Sequence, residues 1–345
     1  MKALKKSSWT RVLILFAAVA ILSGALMSGA AMAQEAKEVK GFPAVLQRDI
    51  TLWSDGTRLS GVLLYPKDRK EGEKLPAIVT CNGWGGTKAF LMNSGIGPRF
   101  AAAGYVVIVY DYRGWGDSDS RLVVRGEMPK PDKDGNVTVK ALAIREVVDP
   151  VDQQKDIDAA ISYVYGEPMV DNTRIGIWGT SFGGGHVIYR AAHDPRIACV
   201  VAQVGSMPDD WTRRYPAGLK KVYEGKAARA RGDADPVPQG GGSPGVLQGT
   251  PYHERIAVFN PGQYADRVKV PTLLIDAEKE HYFKIKENSE RVYEILKKKG
   301  IPTEYHVLKG KKHYDVYSGE TLDEVMKLEI PWFDKYLKGK KKGEN

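Results

Sequence analysis

The chain has 345 residues, 43% of them hydrophobic and 27% charged, with a formal net charge of +9. This is the composition of a soluble globular protein with a sizeable core, and its length suits one large α/β domain. No C-x-x-C, H-E-x-x-H or P-loop pattern occurs, so the sequence calls for no metal or nucleotide cofactor.

At the N-terminus, Lys2, Lys5, Lys6 and Arg11 precede an apolar run, Val12–Leu26, and a small-residue site, Ala31-Met32-Ala33. The order predicts a secretory signal peptide over residues 1–33, cleaved after Ala33, and a periplasmic or extracellular protein. The apolar run is short for a membrane span, so no stable anchor is expected after cleavage. Losing four positive charges lowers the formal net charge from +9 to +5. A mildly basic exported protein is not expected to hold nucleic acid, and Lys338-Gly339-Lys340-Lys341-Lys342 reads as a solvated tail. The two cysteines, Cys81 and Cys199, fall in apolar strand-like runs expected to flank a third strand on opposite sides. Strands two apart lie about 9.6 Å from each other, beyond the roughly 7 Å that a disulfide spans, so both read as buried free thiols. Nothing in the sequence fixes an oligomeric state.

In the mature chain, alternating runs around Leu46–Trp53 and Arg58–Tyr65 flank Ser54-Asp55-Gly56 and predict a β-hairpin. Leu75–Cys81 predicts a buried strand that stops at Asn82-Gly83-Trp84-Gly85-Gly86. A helix over Gly97–Gly104 and a strand over Tyr105–Tyr110 follow. Arg121–Val139, rich in Pro, Asp and Gly, reads as a surface insertion. Val148–Tyr165 carries apolar positions at helical spacing. After the strand that leads to Ser181 and the helix beyond it, Ile197–Val204 is another buried strand. Residues 207–262 break the rhythm and read as a cap inserted into a single domain. Pro271–Ala277 and Thr303–Leu308 predict strands, Phe283–Lys299 and Leu322–Leu337 helices. Strands alternating with helices predict a mostly parallel twisted sheet covered on both faces.

Within that frame, Arg174–His186 reads R-I-G-I-W-G-T-S-F-G-G-G-H. A buried strand ending in Gly179-Thr180-Ser181-Phe182-Gly183, with a helix behind it, is the G-x-S-x-G pattern in its strand–turn–helix setting. The pattern makes Ser181 the candidate nucleophile. A serine hydroxyl needs a base, and of six histidines His313 lies in the loop past the last strand, on the edge where Ser181 is presented. The base in turn needs a carboxylate to fix its tautomer. Asp276, Glu278 and Glu280 all end the Pro271–Ala277 strand; Glu280 has cleared it and is favoured, with Asp276 the alternative acid. Backbone N–H groups of Trp84, in the glycine turn, and Phe182, after the serine, are the candidate oxyanion donors. Trp211, Tyr215 and Tyr252 in the cap are candidates to line an apolar substrate pocket, or equally to pack the cap on the sheet.

These segments, together with Asp111-Tyr112-Arg113-Gly114-Trp115-Gly116-Asp117-Ser118 and Lys312-His313-Tyr314, resemble the α/β-hydrolases of the dienelactone hydrolase-like group. The resemblance is to exported bacterial esterases described as Xaa-Pro dipeptidyl-peptidase-like or acetylxylan-esterase-like, and it covers most of residues 40–338. It implies an α/β-hydrolase fold and a Ser181–Glu280–His313 triad that cleaves carboxylic esters of small molecules or polymers through an acyl-serine, without a cofactor. A peptidase or an acyltransferase would use the same triad. Two positions depart from the group: Asn82 stands where relatives often have His, and Glu280 where they usually have Asp.

Overall fold

The computed structural model describes residues 36–210, 216–238 and 247–339. The expected signal peptide, Trp211, Tyr215 and Lys340–Lys342 lie outside these residues. The contacts of Lys37–Asn345 cluster as one unit.

The predicted hairpin is present. β2 (Phe42–Ser54) and β3 (Thr57–Pro66) pair antiparallel with Ser54 opposite Thr57. Asp55 and Gly56 both take positive φ, 50° and 79°, the twist a two-residue Asp-Gly hairpin turn requires. A short strand, β1 (Lys37–Val39), adds to β2. Beyond β3 the β-branched runs form β4 (Leu75–Cys81), β5 (Val106–Tyr110), β9 (Val170–Thr180), β10 (Ile197–Gln203), β12 (Thr272–Lys279) and β13 (Thr303–Lys312). The sheet order is β1-β2-β3-β5-β4-β9-β10-β12-β13, parallel from β5 to β13.

Side chains alternate across this sheet and build a core on each face. On one face Ala77, Val79, Ile175 and Ile177 meet α3 (Pro150–Gly166), α4 (Phe182–His193) and α7 (Ser289–Lys298). On the other, Ile78, Val107, Trp178 and Val201 meet α1 (Lys88–Asn93), α2 (Ile96–Ala102) and α8 (Gly319–Phe333). Cys81 and Cys199 sit on β4 and β10, either side of β9, and are buried and unpaired.

From β4 the chain first steps to β5 and later to β9 on the opposite side. Ligands in open parallel sheets bind outside the strand ends at such a reversal, and here the ends of β4 and β9 carry the glycine turn and Ser181.

Two inserted regions carry structure of their own. The insertion after β5 contains a hairpin, β6 (Arg121–Arg125) with β7 (Lys140–Ile144), whose half-exposed runs are too short to stand out in a polar stretch. The segment over 207–262 contributes α5 (Pro216–Arg231), β11 (Thr250–Pro251) and α6 (His253–Ile256), and β11 pairs in parallel with β8 (Val147–Val148). Both regions are tied to the start of α3 by charge. Arg121 bonds Asp152, and Arg255 Nη1 lies 2.5 Å from Asp149 and 3.3 Å from Asp152.

Candidate active site

Ser181 joins β9 to α4 at φ 55°, ψ −121°, a strained backbone for any side-chain-bearing residue. The surrounding bonds hold it there. Its N–H donates to Gln203 O (2.9 Å), and its carbonyl accepts from Gly184 N–H (3.0 Å) and Ser206 N–H (2.9 Å). The flanking glycines are required by space. A Cβ on Gly179 would lie 2.3 Å from Gly183 O, and one on Gly183 only 2.2 Å from Cys81 O. The turn after β4 presses equally close, since a Cβ on Gly83 would meet Ser181 Cβ at 2.9 Å. Strand, turn and helix thus converge on one half-buried hydroxyl.

Glu280 and His313 are the first residues past the ends of neighbouring strands, β12 and β13. His313 Nε2 lies 3.1 Å from Ser181 Oγ, and its Nδ1 lies 2.6 Å from Glu280 Oε2. Both acid and imidazole side chains are almost wholly buried. The other carboxylate oxygen, Oε1, accepts the N–H groups of His281 (2.8 Å) and Tyr282 (2.9 Å). Burial alone would raise the Glu280 carboxyl. The His313 bond and charge, with the two N–H bonds, outweigh burial and hold it below its ordinary range.

Asp276 is elsewhere. It lies buried within β12, where Ser289 (3.1 Å) and the Tyr305 hydroxyl (3.0 Å) donate to it. Burial pushes its carboxyl up to about 7. Of the remaining histidines, His186 is buried between Gln154 Nε2 (2.7 Å) and Gln153 Oε1 (3.0 Å), and burial drives it down to about 3. His306 faces Glu304, and His193 bonds the Tyr189 carbonyl.

Asn82, the unusual residue of the glycine turn, donates from Nδ2 to Tyr110 O (3.2 Å), so it moors the turn to the end of β5. Gly86 N–H closes the turn on Gly83 O (3.2 Å), and the Trp84 N–H has no carbonyl partner among the described residues. Phe182 opens α4, so its N–H is one of those a helix leaves without an intrahelical acceptor. The two side chains also meet, ring centroids 5.6 Å apart. Trp84 Nε1 donates to Gln248 O (2.9 Å), tying this turn to the cap segment.

The cavity over Ser181 holds about 230 Å³ and is walled by Trp84, Phe90, Leu247, Tyr314 and Tyr317, with no charged side chain among its described lining apart from any charge on His313. Tyr252, expected as a pocket candidate, is not part of this wall. It packs with Ile144 and Val237, under the guanidinium of Arg255 at 4.9 Å. Phe90, Leu247, Gln248 and Tyr317 escaped the sequence reading. Tyr314 carried a signal in its position beside His313. Gln248 carried none, because its place follows from the course of a chain 164 residues beyond Trp84.

A serine hydroxyl bonded to an imidazole that is itself bonded to a carboxylate can lose its proton as it attacks a carbonyl. This geometry and the fold agree with the sequence comparison. A model of the X-Pro dipeptidyl-peptidase (S15) family matches residues 55–233. The chain belongs to this family. It is an enzyme of hydrolase type, on the Xaa-Pro peptidase-like side of the resemblance drawn from its motifs. The chain is 27% identical over 290 residues to an uncharacterized 31.7 kDa protein of the traX-finO intergenic region of Escherichia coli, covering 76% of this chain and 92% of that one. It is 37% identical over 155 residues to the quorum-quenching protein AidA of Acinetobacter baumannii, covering 45% of this chain and 42% of AidA. The crystal structure of the alpha/beta hydrolase GrgF from Penicillium superposes with a TM-score of 0.59 at 21% identity, covering 85% of this chain and 99% of that one. That likeness shows the α/β-hydrolase fold.

Proposed function

We propose that the chain is an exported serine esterase that cleaves carboxylic esters through an acyl-serine. The observation that carries this reading is the continuous line from Glu280 through His313 to Ser181, with bonds of 2.6 Å and 3.1 Å. In the proposed cycle, Ser181 Oγ attacks the ester carbonyl carbon while His313 Nε2 takes the hydroxyl proton. The N–H groups of Trp84 and Phe182 receive the oxyanion. The carbon–oxygen bond to the alcohol then breaks, and His313 returns its proton to the leaving alkoxide. Water, deprotonated by His313, cleaves the acyl-serine to the free acid and restores the hydroxyl. Glu280 holds the imidazole with Nδ1 protonated throughout. The charged-then-apolar order of residues 1–33, ending in Ala31-Met32-Ala33, supports export and cleavage after Ala33.

The family match favours a second reading, removal of dipeptides from peptide N-termini. A free ammonium terminus is best held by a carboxylate, and none lines the described cavity, where Gln248 is the amide side chain present. Ester hydrolysis is therefore preferred. The test compares p-nitrophenyl butanoate with a dipeptide p-nitroanilide carrying proline at its second position. The proposal expects turnover of the ester at least 100-fold above that of the anilide in kcat/KM. The reverse order would establish the peptidase.

A further inference from the structure

His313 and Glu280 are each followed closely by a tyrosine, and the two phenols meet. Tyr282 Oη and Tyr314 Oη lie 2.6 Å apart. The Tyr282 N–H also donates to Glu280 Oε1 (2.9 Å). Both rings stand edge-on to the imidazole, with centroids 4.9 Å and 5.1 Å from His313. Two hydroxyls joined by one bond use one of their two protons, and neither has another protein partner among the described residues. Tyr314 lines the cavity over Ser181, whereas Tyr282 does not. The remaining phenol of the wall, Tyr317, is already engaged with Thr180 Oγ1 at 2.8 Å. Either hydroxyl can be the donor of this bond; in the arrangement in which Tyr282 donates, the Tyr314 proton is left for a ligand oxygen in the cavity that Tyr314 lines.

Resting on the esterase reading above, we infer that Tyr314, set by Tyr282, donates a hydrogen bond to the alcohol part of the substrate, so that the preferred esters carry a second oxygen there. The side is fixed by chemistry. The carbonyl oxygen turns to the N–H groups of Trp84 and Phe182, while the leaving oxygen must face His313 Nε2. Tyr314 adjoins that imidazole and so meets what leaves. The pairing also polarises the donor, since a phenol that accepts a hydrogen bond donates a stronger one.

Butyl butanoate and 2-methoxyethyl butanoate form an isosteric pair differing in one CH2-to-O exchange in the alcohol. Acid release from each is followed by titration in the wild type, Tyr314→Phe and Tyr282→Phe. The wild type is expected to favour the methoxyethyl ester about fivefold or more in kcat/KM, the worth of one neutral hydrogen bond. Tyr314→Phe is expected to bring the ratio to within about twofold, by loss on the methoxyethyl ester alone; Tyr282→Phe is expected to lower it part-way. A wild-type ratio near one, or a Tyr314→Phe ratio equal to the wild-type one, would overturn the inference. So would equal losses on both esters, which indicate a merely structural tyrosine. Failure of the wild type on these two esters and on p-nitrophenyl butanoate alike would instead remove the esterase reading, and this inference with it.

Discussion

Replacing Glu280 by Gln changes one atom, and the structure dictates where that atom goes. Glu280 Oε1 accepts two backbone N–H groups, those of His281 and Tyr282. An amide NH2 in that place would set donor against donor, so the Gln carbonyl must stay there. The NH2 is then forced toward His313 Nδ1, which must accept rather than donate. The imidazole proton moves to Nε2, where the ring donates to Ser181 instead of taking its proton. Loss of the correct tautomer with geometry intact costs about 10⁴ in kcat in a comparable triad, or about 5.4 kcal/mol at 1.36 kcal/mol per decade. Initial rates on p-nitrophenyl butanoate should therefore fall by 10³–10⁴ in Glu280→Gln, with a circular dichroism spectrum like the wild type's. Asp276→Asn, bonded to Ser289 and Tyr305 and not to His313, should stay within about tenfold. A Glu280→Gln enzyme within tenfold of wild type, or an Asp276→Asn enzyme as damaged, would refute the reasoning.

Gly183→Ala drives a Cβ to 2.2 Å from Cys81 O and 2.6 Å from Asn82 O, both backbone atoms that no rotamer change relieves. Stability should fall by at least 1–3 kcal/mol, read by thermal melting, and kcat/KM on the butanoate should fall about 100-fold as the serine and the turn part. His186 is held down to about 3 by burial. The unfolded chain therefore binds the extra proton below about pH 6.5, and the stability His186 supplies above that value is lost as pH falls toward 3. Denaturant unfolding at pH 6.5 and pH 5 should show about 1–2 kcal/mol less pH-dependent loss in His186→Gln than in wild type. Cys81 and Cys199 are free and buried, so a thiol reagent should label neither in the native protein and both in denaturant.

The residues that the structure joins in one line, Ser181, His313 and Glu280, were legible because each stands at a strand end that hydrophobic pattern alone locates. Ser181 carries the added signature of glycines on both sides, which the convergence of β4, β9 and α4 explains. Glu280 was separable from Asp276 because Asp276 still belongs to the buried run of β12, and an acid inside a strand cannot turn toward the next loop. The cavity wall was not legible. Phe90 faces Ser181 only because β4 and β9 are neighbours, and Leu247 only because β11 pairs with β8. Tyr252 stayed open between pocket wall and packing for a related reason. An aromatic residue in an insertion signals burial without saying against what, and here the partners are Ile144 at the end of β7 and Val237. The β6–β7 hairpin was hidden by the polar stretch between its strands.

The central claim is that Ser181 is the nucleophile of this hydrolase. Incubating the protein with a fluorophosphonate and reading its intact mass tests this directly. The account predicts one stoichiometric adduct on the wild type, mapped to Ser181, and none on Ser181→Ala. An unmodified wild type, or an equal adduct on Ser181→Ala, would contradict it.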